Sequence, residues 1–158
     1  MKIWLKNPLS ILAENAEGGI LLEGTRIAEL VPSGKQPSAE YDSVFDAGSH
    51  VILPGLINLH HHFFQTLTRV YPQALNKKLF PWLKTLYPLW AGLTPEAVRM
   101  ATRLALAELL LSGCTTASDQ HYVFPAGLEK AIDLQVEEAN NLGIRVVLYR
   151  GSMDRSEK

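Results

Sequence analysis

The stretch LPGLINLHHHFFQ, residues 53–65, joins a run of apolar residues to three consecutive histidines. The whole chain has only five histidines, and a surface loop would not need three of them side by side. The lead-in, VILPGLINL (residues 51–59), is apolar almost throughout, which is typical of a strand buried on both faces of a parallel sheet. The sequence therefore predicts a buried strand with the histidines at its carboxyl end.

Side-chain alternation along that strand predicts how the histidines point. Residues two apart share one face, so His60 and His62 are expected to project together and His61 the opposite way. In α/β folds the carboxyl ends of strands carry the chemistry, and paired imidazoles can share one divalent metal. A catalytic zinc usually takes about three protein ligands, so the rest would come from elsewhere. The alternative is that these histidines are polar residues hydrogen-bonded to loop carbonyls.

Composition narrows the class of protein. The 158 residues are 47% apolar and 20% charged, with 15 basic against 16 acidic side chains, so neither a nucleic-acid surface nor a polybasic membrane patch is expected. The single cysteine, Cys114, excludes an intramolecular disulfide and favours a reducing compartment. No run has the length of a signal peptide core or a membrane span, and we expect a cytoplasmic protein.

The pattern of apolar and turn-forming residues changes near residue 50. Residues 1–50 read as short strands and turns, with a hairpin over residues 18–34, and predict a small β-sheet domain. Residues 51–158 are predicted to form strand, helix, strand, helix, strand. The helices cover residues 94–113, with Thr94 as the N-cap, and residues 126–143, with Gly143 as the stop. Residues 79–90 are expected to be a loop with a short helix broken at Pro88. This order predicts parallel strands in an open sheet or a closed (β/α)8 barrel. Because a barrel needs about 250 residues, we expect the chain to be the N-terminal part of a longer one.

The residues around the histidines carry a family resemblance. LPGLINLHHH resembles the first barrel strand of the amidohydrolase superfamily, whose signature is Pro-Gly, four residues, then His-x-His; Pro54, Gly55, His60 and His62 match it. AELLLSGCTTASD (residues 107–119) resembles the family's first crossover helix and second strand. The resemblance implies an α/β fold: the first βαβαβ portion of a metallo-dependent hydrolase barrel over residues 51–158, preceded by a small β-sandwich segment.

Within that superfamily, three stretches are most similar to the purine and triazine aminohydrolases, bacterial 8-oxoguanine deaminases in particular: HHHFFQTLTR, LFPWLKTLYPLW and SGCTTASDQHYVFP. Gln65 matches a glutamine that contacts the purine in the related guanine deaminases. An amide both donates and accepts, which suits a purine edge. The alternative for Gln65 is a solvated loop residue.

The resemblance implies hydrolytic deamination of a purine-like base by a metal-activated water. His60 and His62 would bind one divalent metal, zinc most readily or iron. The family's other ligands, two histidines and an aspartate, and its proton-transferring glutamate come from later strands, so no catalytic residue and no activity are expected within residues 1–158. The full-length protein is expected to bind a small heterocyclic base and to form a homo-oligomer. The alternatives are a triazine, cytosine or thio-adenosine aminohydrolase, a chlorohydrolase, or a non-catalytic metal-binding remnant.

Further side chains are candidates for substrate contact. His121 follows the second strand on the presumed active face and is predicted to touch substrate or to orient a loop. Trp82, with Tyr87 and Trp90, is predicted to form the base of an aromatic substrate pocket. The alternative is that these rings belong to the hydrophobic core.

Other polar residues are expected to be structural. Asp119 is expected to bond the loop that follows it. Glu108 lies on an otherwise apolar arc of its helix and needs a hydrogen-bond partner. Arg99 and Arg103 are expected to form a solvated face.

Overall fold

The computed structural model describes residues 1–152 and divides into two compact units, residues 1–54 and residues from Gly55 onward. The predicted boundary lay between residues 50 and 51, whereas the structure places Val51–Ile52 in the first unit. None of the helices within residues 1–152 has the length and apolar character needed to cross a membrane. The strands are β1 (Lys2–Lys6), β2 (Ser10–Ile11), β3 (Gly19–Glu23), β4 (Arg26–Val31), β5 (Ser43–Asp46), β6 (Val51–Ile52), β7 (Leu56–Asn58), β8 (Cys114–His121) and β9 (Arg145–Arg150). The α-helices are α1 (Leu79–Trp90), α2 (Pro95–Leu111) and α3 (Ala131–Leu142), and short 3-10 helices cover Phe63–Thr68 and Pro72–Ala74.

The first unit is all β. A four-stranded sheet has the order β4-β3-β1-β5, and β2 pairs with β6 in a separate two-stranded ladder. The predicted hairpin is confirmed, since β3 and β4 pair antiparallel. Trp4, Leu21 and Val31 form the buried cluster of this unit, and the Trp4 indole N–H donates to the Gly18 carbonyl 3.1 Å away.

The second unit is α/β, as predicted. Its strands pair parallel in the order β7-β8-β9, with α2 between β7 and β8 in sequence and α3 between β8 and β9. The prediction of one continuous strand over residues 51–59 is wrong. Pro54, which has no N–H to donate, separates β6 from β7, and the two pair in different sheets. Within the described residues β7 is an edge strand, and Leu56 and Ile57 are 59% and 65% exposed.

Helix α2 begins where its cap predicts, whereas α3 begins at Ala131, five residues after the predicted start at residue 126. The chain before Ala131 forms turns, with Gly127 at a φ of +85°. Thr94 accepts a hydrogen bond from the Ala97 N–H at 3.2 Å, and Pro95 opens α2. The prediction that a helix breaks at Pro88 is wrong, because α1 runs unbroken to Trp90. Pro88 cannot donate to the carbonyl four residues earlier, but it lies in the last turn, so no further turn of helix has to continue beyond it.

Gly55 explains why a Pro-Gly pair precedes β7. A Cβ atom at this position would lie 2.3 Å from two side-chain atoms of Thr115, at the start of β8. Only glycine lets the chain pass this closely, and Leu56 then enters the ladder opposite Cys114. On the helix side of the sheet, Phe63, Leu106, Ala117 and other buried residues form the core cluster that holds α2 and α3 against the strands.

A charged cluster joins α2 to α3. Glu138 is 2% exposed and accepts hydrogen bonds from Arg99 Nη1 at 3.2 Å and from Arg103 Nε at 2.9 Å. The other Arg99 nitrogen, Nη2, pairs with Glu137 at 2.5 Å. The expectation that Arg99 and Arg103 form a plain solvated face is therefore wrong. A buried carboxylate needs such partners, and these two arginines supply them.

Replacing Glu138 with glutamine is expected to lower the stability of the protein at neutral pH by roughly 1–2 kcal/mol, because the negative charge that balances the two arginines is lost and one acceptor oxygen becomes an NH2 group that cannot accept. The hydrogen bond from Arg103, with Arg99 adding to it, holds the pKa of Glu138 below its usual 4.5. Stability from the ionised carboxylate is therefore present above about pH 4.5 and is lost as the pH falls through the lower pKa of the folded state. The difference in unfolding free energy between parent and variant should shrink on acidification. A difference that stayed constant down to about pH 3 would contradict this account.

Candidate metal and substrate site

The paired histidines stand beside each other just beyond the end of β7. The ring centroids of His60 and His62 lie 5.3 Å apart and the ring planes meet at 84°. The His60 N–H donates to the Asn58 side-chain oxygen at 3.1 Å, which turns the chain sharply after the strand. His61 points its ring toward Phe63, at a centroid distance of 5.1 Å. The structure thus brings together the two imidazoles that the sequence singled out.

The end of β8 holds the histidine segment by three hydrogen bonds. His62 Nδ1 lies 2.8 Å from the Gln120 carbonyl oxygen, and the Gln120 N–H donates to the His61 carbonyl at 3.1 Å. The Phe63 N–H donates to Asp119 Oδ1 at 2.6 Å. Because a carbonyl only accepts, Nδ1 of His62 carries a proton, and in the neutral ring the lone pair is then on Nε2. This is the arrangement in which a histidine is oriented for metal binding.

Asp119 is fully buried and links the sheet to two other elements. Besides the Phe63 N–H, it accepts from Gln135 Nε2 of α3 at 2.7 Å through Oδ2. Burial raises the pKa of Asp119 to about 6, and the two hydrogen bonds oppose that rise. The expected bond to the loop following Asp119 is therefore corrected: the carboxylate reaches back to the histidine segment instead.

A pocket of about 410 Å³ opens beside His62. Gln65 lies in it, and its Nε2 donates to the Tyr122 hydroxyl at 2.9 Å. Trp82 also lines it, as predicted from the sequence, while Trp90 is buried in the core beneath, 5.5 Å from Trp82 between ring centroids. The polar and aromatic lining of this pocket, called the Gln65 pocket below, comprises His62, Gln65, Trp82, Tyr87, Gln120, Tyr122 and Ser152.

The structure does not bring His121 to this pocket. Its ring is fully buried, Nε2 donates to the Val123 carbonyl at 2.8 Å, and Phe64 and Phe124 pack on it at 5.1 and 4.9 Å. Burial lowers the pKa of His121, so the ring is neutral at physiological pH. Tyr122 takes the place that the sequence reasoning gave to His121.

The alternation of side chains along β8 explains why Tyr122, and not His121, lines the pocket. Asp119 and His121 share the buried face of β8, so Gln120 and Tyr122 face the opposite way, toward the histidines and Gln65. The same period-two rule that was applied to the histidines predicts this parity. It would have selected Tyr122 once Asp119 was assigned to the interior.

On the other side of the histidine segment, Glu108 finds the partner predicted for it. Arg69 Nη2 lies 2.6 Å from Glu108 Oε2, and both side chains are partly exposed. His61 is near this pair, and its pKa is lowered by burial and by the positive charge of Arg69. The ring is therefore neutral, which keeps it from adding positive charge beside the histidine pair.

These residues fit part of a metal site. His60 and His62 are adjacent, and the tautomer of His62 leaves a free ring nitrogen, which is what a divalent cation requires. Within residues 1–152 no group of three or more His, Cys, Asp or Glu side chains is placed to hold a metal. The pair therefore provides two ligands, and a complete site needs others.

The sequence is similar to curated deaminases. It is 57% identical to an 8-oxoguanine deaminase of Pseudomonas aeruginosa over 160 residues, which is 99% of this chain and 36% of that protein. It is 38% identical over 136 residues to a 5-methylthioadenosine/S-adenosylhomocysteine deaminase of Syntrophomonas wolfei, covering 85% of this chain and 29% of that protein. The chain thus spans about a third of the length of these relatives.

The structure is similar to that of a zinc-bound enzyme. Atrazine chlorohydrolase from Arthrobacter aurescens TC1, crystallised with zinc, superposes with a TM-score of 0.81 at 28% identity, covering 98% of this chain and 36% of that one. The model of the amidohydrolase family matches residues 51–158, the part that carries the histidine segment and the three parallel strands. The predicted resemblance is confirmed: this chain belongs to the amidohydrolase family.

Proposed function

We propose that the full-length protein containing this chain is a metal-dependent aminohydrolase that removes ammonia from a purine-like base, 8-oxoguanine above others. The observation that carries the proposal is the pairing of His60 with His62 beside a pocket lined by Gln65. The 57% identity to an 8-oxoguanine deaminase over nearly the whole chain supports the choice of substrate.

His60 and His62 would hold one divalent metal through their ring nitrogens, zinc being favoured by the zinc-bound structural relative and iron being compatible with the same ligands. When bound, the metal supplies the Lewis acidity that activates water at neutral pH. The remaining ligands and the proton-transferring carboxylate are proposed to come from parts of the protein outside residues 1–158. Gln120 and Asp119 hold the histidine segment in place by hydrogen bonds. The residues of this chain would thus orient two of the metal ligands, and residues outside it would supply the remaining ones.

The Gln65 pocket would bind the base. Gln65 can donate and accept at a purine edge, and the Trp82 and Tyr87 rings offer faces for stacking. The buried ring of Trp90 supports Trp82 from below. In this proposal the substrate residues are Gln65, Trp82 and Tyr122, and His121 acts only through packing.

The fold of the full-length protein is proposed to be a (β/α)8 barrel. The parallel order β7-β8-β9 supplies its first three strands, and the exposed apolar side chains of β7 would be covered by later barrel strands. The all-β first unit would be part of a small β-sandwich. We also propose that the full-length protein is cytoplasmic and forms a homo-oligomer. Its ligand would be a small molecule, and neither nucleic acid nor a membrane would be a partner.

A triazine hydrolase is the second candidate. The structural likeness to atrazine chlorohydrolase favours it, since that likeness covers 98% of the chain. The two candidates differ in the leaving group, which is ammonia from an aminopurine and chloride from a chlorotriazine. Release of ammonia or chloride therefore separates them.

The test is a substrate comparison on the purified full-length protein. We expect ammonia release from 8-oxoguanine to exceed that from guanine, cytosine and 5-methylthioadenosine, and chloride release from atrazine to be at background. Treatment with a chelator should abolish turnover, and added zinc should restore it. A protein that binds metal but turns over only atrazine would replace the first candidate with the second. A full-length protein with neither metal nor activity would identify a non-catalytic remnant.

A further inference from the structure

We propose that Tyr122 is the residue that sets the specificity of the Gln65 pocket, by fixing the Gln65 amide and by offering its own hydroxyl proton to a lactam edge of the ligand. A lactam edge is a ring N–H next to a ring carbonyl, as in an oxopurine. This inference rests on the proposed function and goes beyond it by naming the recognising group and the ligand feature recognised.

The contact between Gln65 and Tyr122 determines which atoms face the ligand. Gln65 Nε2 donates to the Tyr122 hydroxyl at 2.9 Å, so the oxygen of Tyr122 is an acceptor in this bond. The amide oxygen of Gln65 then remains to accept from a ligand N–H, and the hydroxyl proton of Tyr122 remains to donate to a ligand carbonyl. An acceptor and a donor side by side complement a lactam edge, and they do not complement an edge that presents only ring-nitrogen acceptors.

Tyr122 is held rigidly enough to play this role. Its ring packs edge-on against His62 at 5.3 Å and against Phe64 at 5.4 Å between ring centroids. Behind it, a Cβ atom on Gly151 would lie 2.8 Å from the Tyr122 Cβ, so the end of β9 closes on the tyrosine without room for a side chain. A tyrosine hydroxyl keeps its proton at neutral pH, because its ordinary pKa is about 10. A fixed, protonated hydroxyl beside His62 is a donor of defined direction.

The test uses Tyr122→Phe in the full-length protein, because phenylalanine keeps the ring contacts with His62 and Phe64 and removes only the hydroxyl. Two binding probes that have no exocyclic amine to lose are compared by calorimetry: xanthine, which carries lactam edges, and unsubstituted purine, which carries none. We expect the variant to bind xanthine about 2- to 10-fold more weakly, the weight of one neutral hydrogen bond, and to bind purine unchanged. For 8-oxoguanine turnover, KM should rise by a similar factor with kcat nearly constant.

Two further variants complete the test. Tyr71→Phe is the matched control, since Tyr71 packs against the same aromatic cluster and does not line the Gln65 pocket. In the double variant with Gln65→Ala, the loss of xanthine affinity should be smaller than the product of the two single losses, because Tyr122 acts partly through Gln65.

Equal weakening of xanthine and purine by Tyr122→Phe, or no weakening of either, would overturn the proposal. Loss of bound metal in Tyr122→Phe would also overturn it, because the hydroxyl would then act on the metal site and not on the edge of the ligand. Xanthine binding is measured without turnover, so a parent protein that fails to deaminate 8-oxoguanine refutes the proposed function while Tyr122 is still tested.

Discussion

Replacing His62 with alanine is expected to remove bound metal from the full-length protein and to lower kcat/KM for 8-oxoguanine by more than 100-fold. Loss of a residue that only orients a metal ligand costs about 10–100-fold in metal affinity or activity. His62 is expected to exceed that range, because it is a proposed ligand and its Nδ1 also bonds the Gln120 carbonyl that orients it. The measurements are metal content after dialysis and steady-state kinetics with and without added zinc.

The controls separate metal binding from folding. His60→Ala should lose metal as well, whereas His50→Ala should keep metal and activity, since His50 belongs to the first unit and contacts Ser49 and Phe45 there. Thermal unfolding of the metal-free proteins should show His62→Ala close to the parent. Full metal content in His62→Ala would refute the metal role of the histidine pair.

The histidine site was predictable because its signals are local. Strand alternation predicted that His60 and His62 would share a face, and the structure places their rings 5.3 Å apart. The caps at Thr94 and Gly143 likewise predicted the start of α2 and the end of α3, because each satisfies orphan backbone groups within one turn of its own helix.

The predictions for Arg99, Arg103 and Asp119 were wrong because contacts between residues far apart in the sequence determine their roles. Arg99 and Arg103 look like solvated charges on α2 alone, and only the position of α3 shows that they neutralise the buried Glu138. Asp119 was read against its own loop, whereas its partners lie in the histidine segment and in α3. A single sequence carries no signal for such pairings, since neither partner is near in the chain.

His121 is a different case, because its placement follows from a local rule. One strand face of β8 is packed under α3 and the 3-10 helix over Phe63–Thr68, and the other faces the site. The sequence alone does not say which of the two strand faces is buried. One observation from the structure, the burial of Asp119, decides it. With that fact His121 becomes a core histidine and Tyr122 a pocket residue.

Replacing Asp119 with alanine is expected to destabilise the protein by roughly 2–6 kcal/mol and to weaken metal binding by about 10–100-fold. The variant leaves two donors of the interior, the Phe63 N–H and the Gln135 side-chain amide, without their acceptor, and each such loss costs about 1–3 kcal/mol. The Phe63 bond lies one residue beyond His62, so its loss also frees the histidine segment. Denaturant unfolding and zinc titration measure the two effects.

Asp119→Asn is the matched variant, because asparagine keeps an acceptor for the Phe63 N–H. Its amide nitrogen can donate to Gln135 Oε1, which is buried without a partner in the present structure, once the Gln135 amide has rotated. The asparagine variant should therefore retain most of the stability and metal affinity that the alanine variant loses, and its Phe63 amide should exchange with solvent as slowly as in the parent. If alanine and asparagine weaken zinc binding equally while Phe63 stays protected in both, Asp119 acts on the metal through its charge, and the anchoring role derived from the Phe63 contact is wrong.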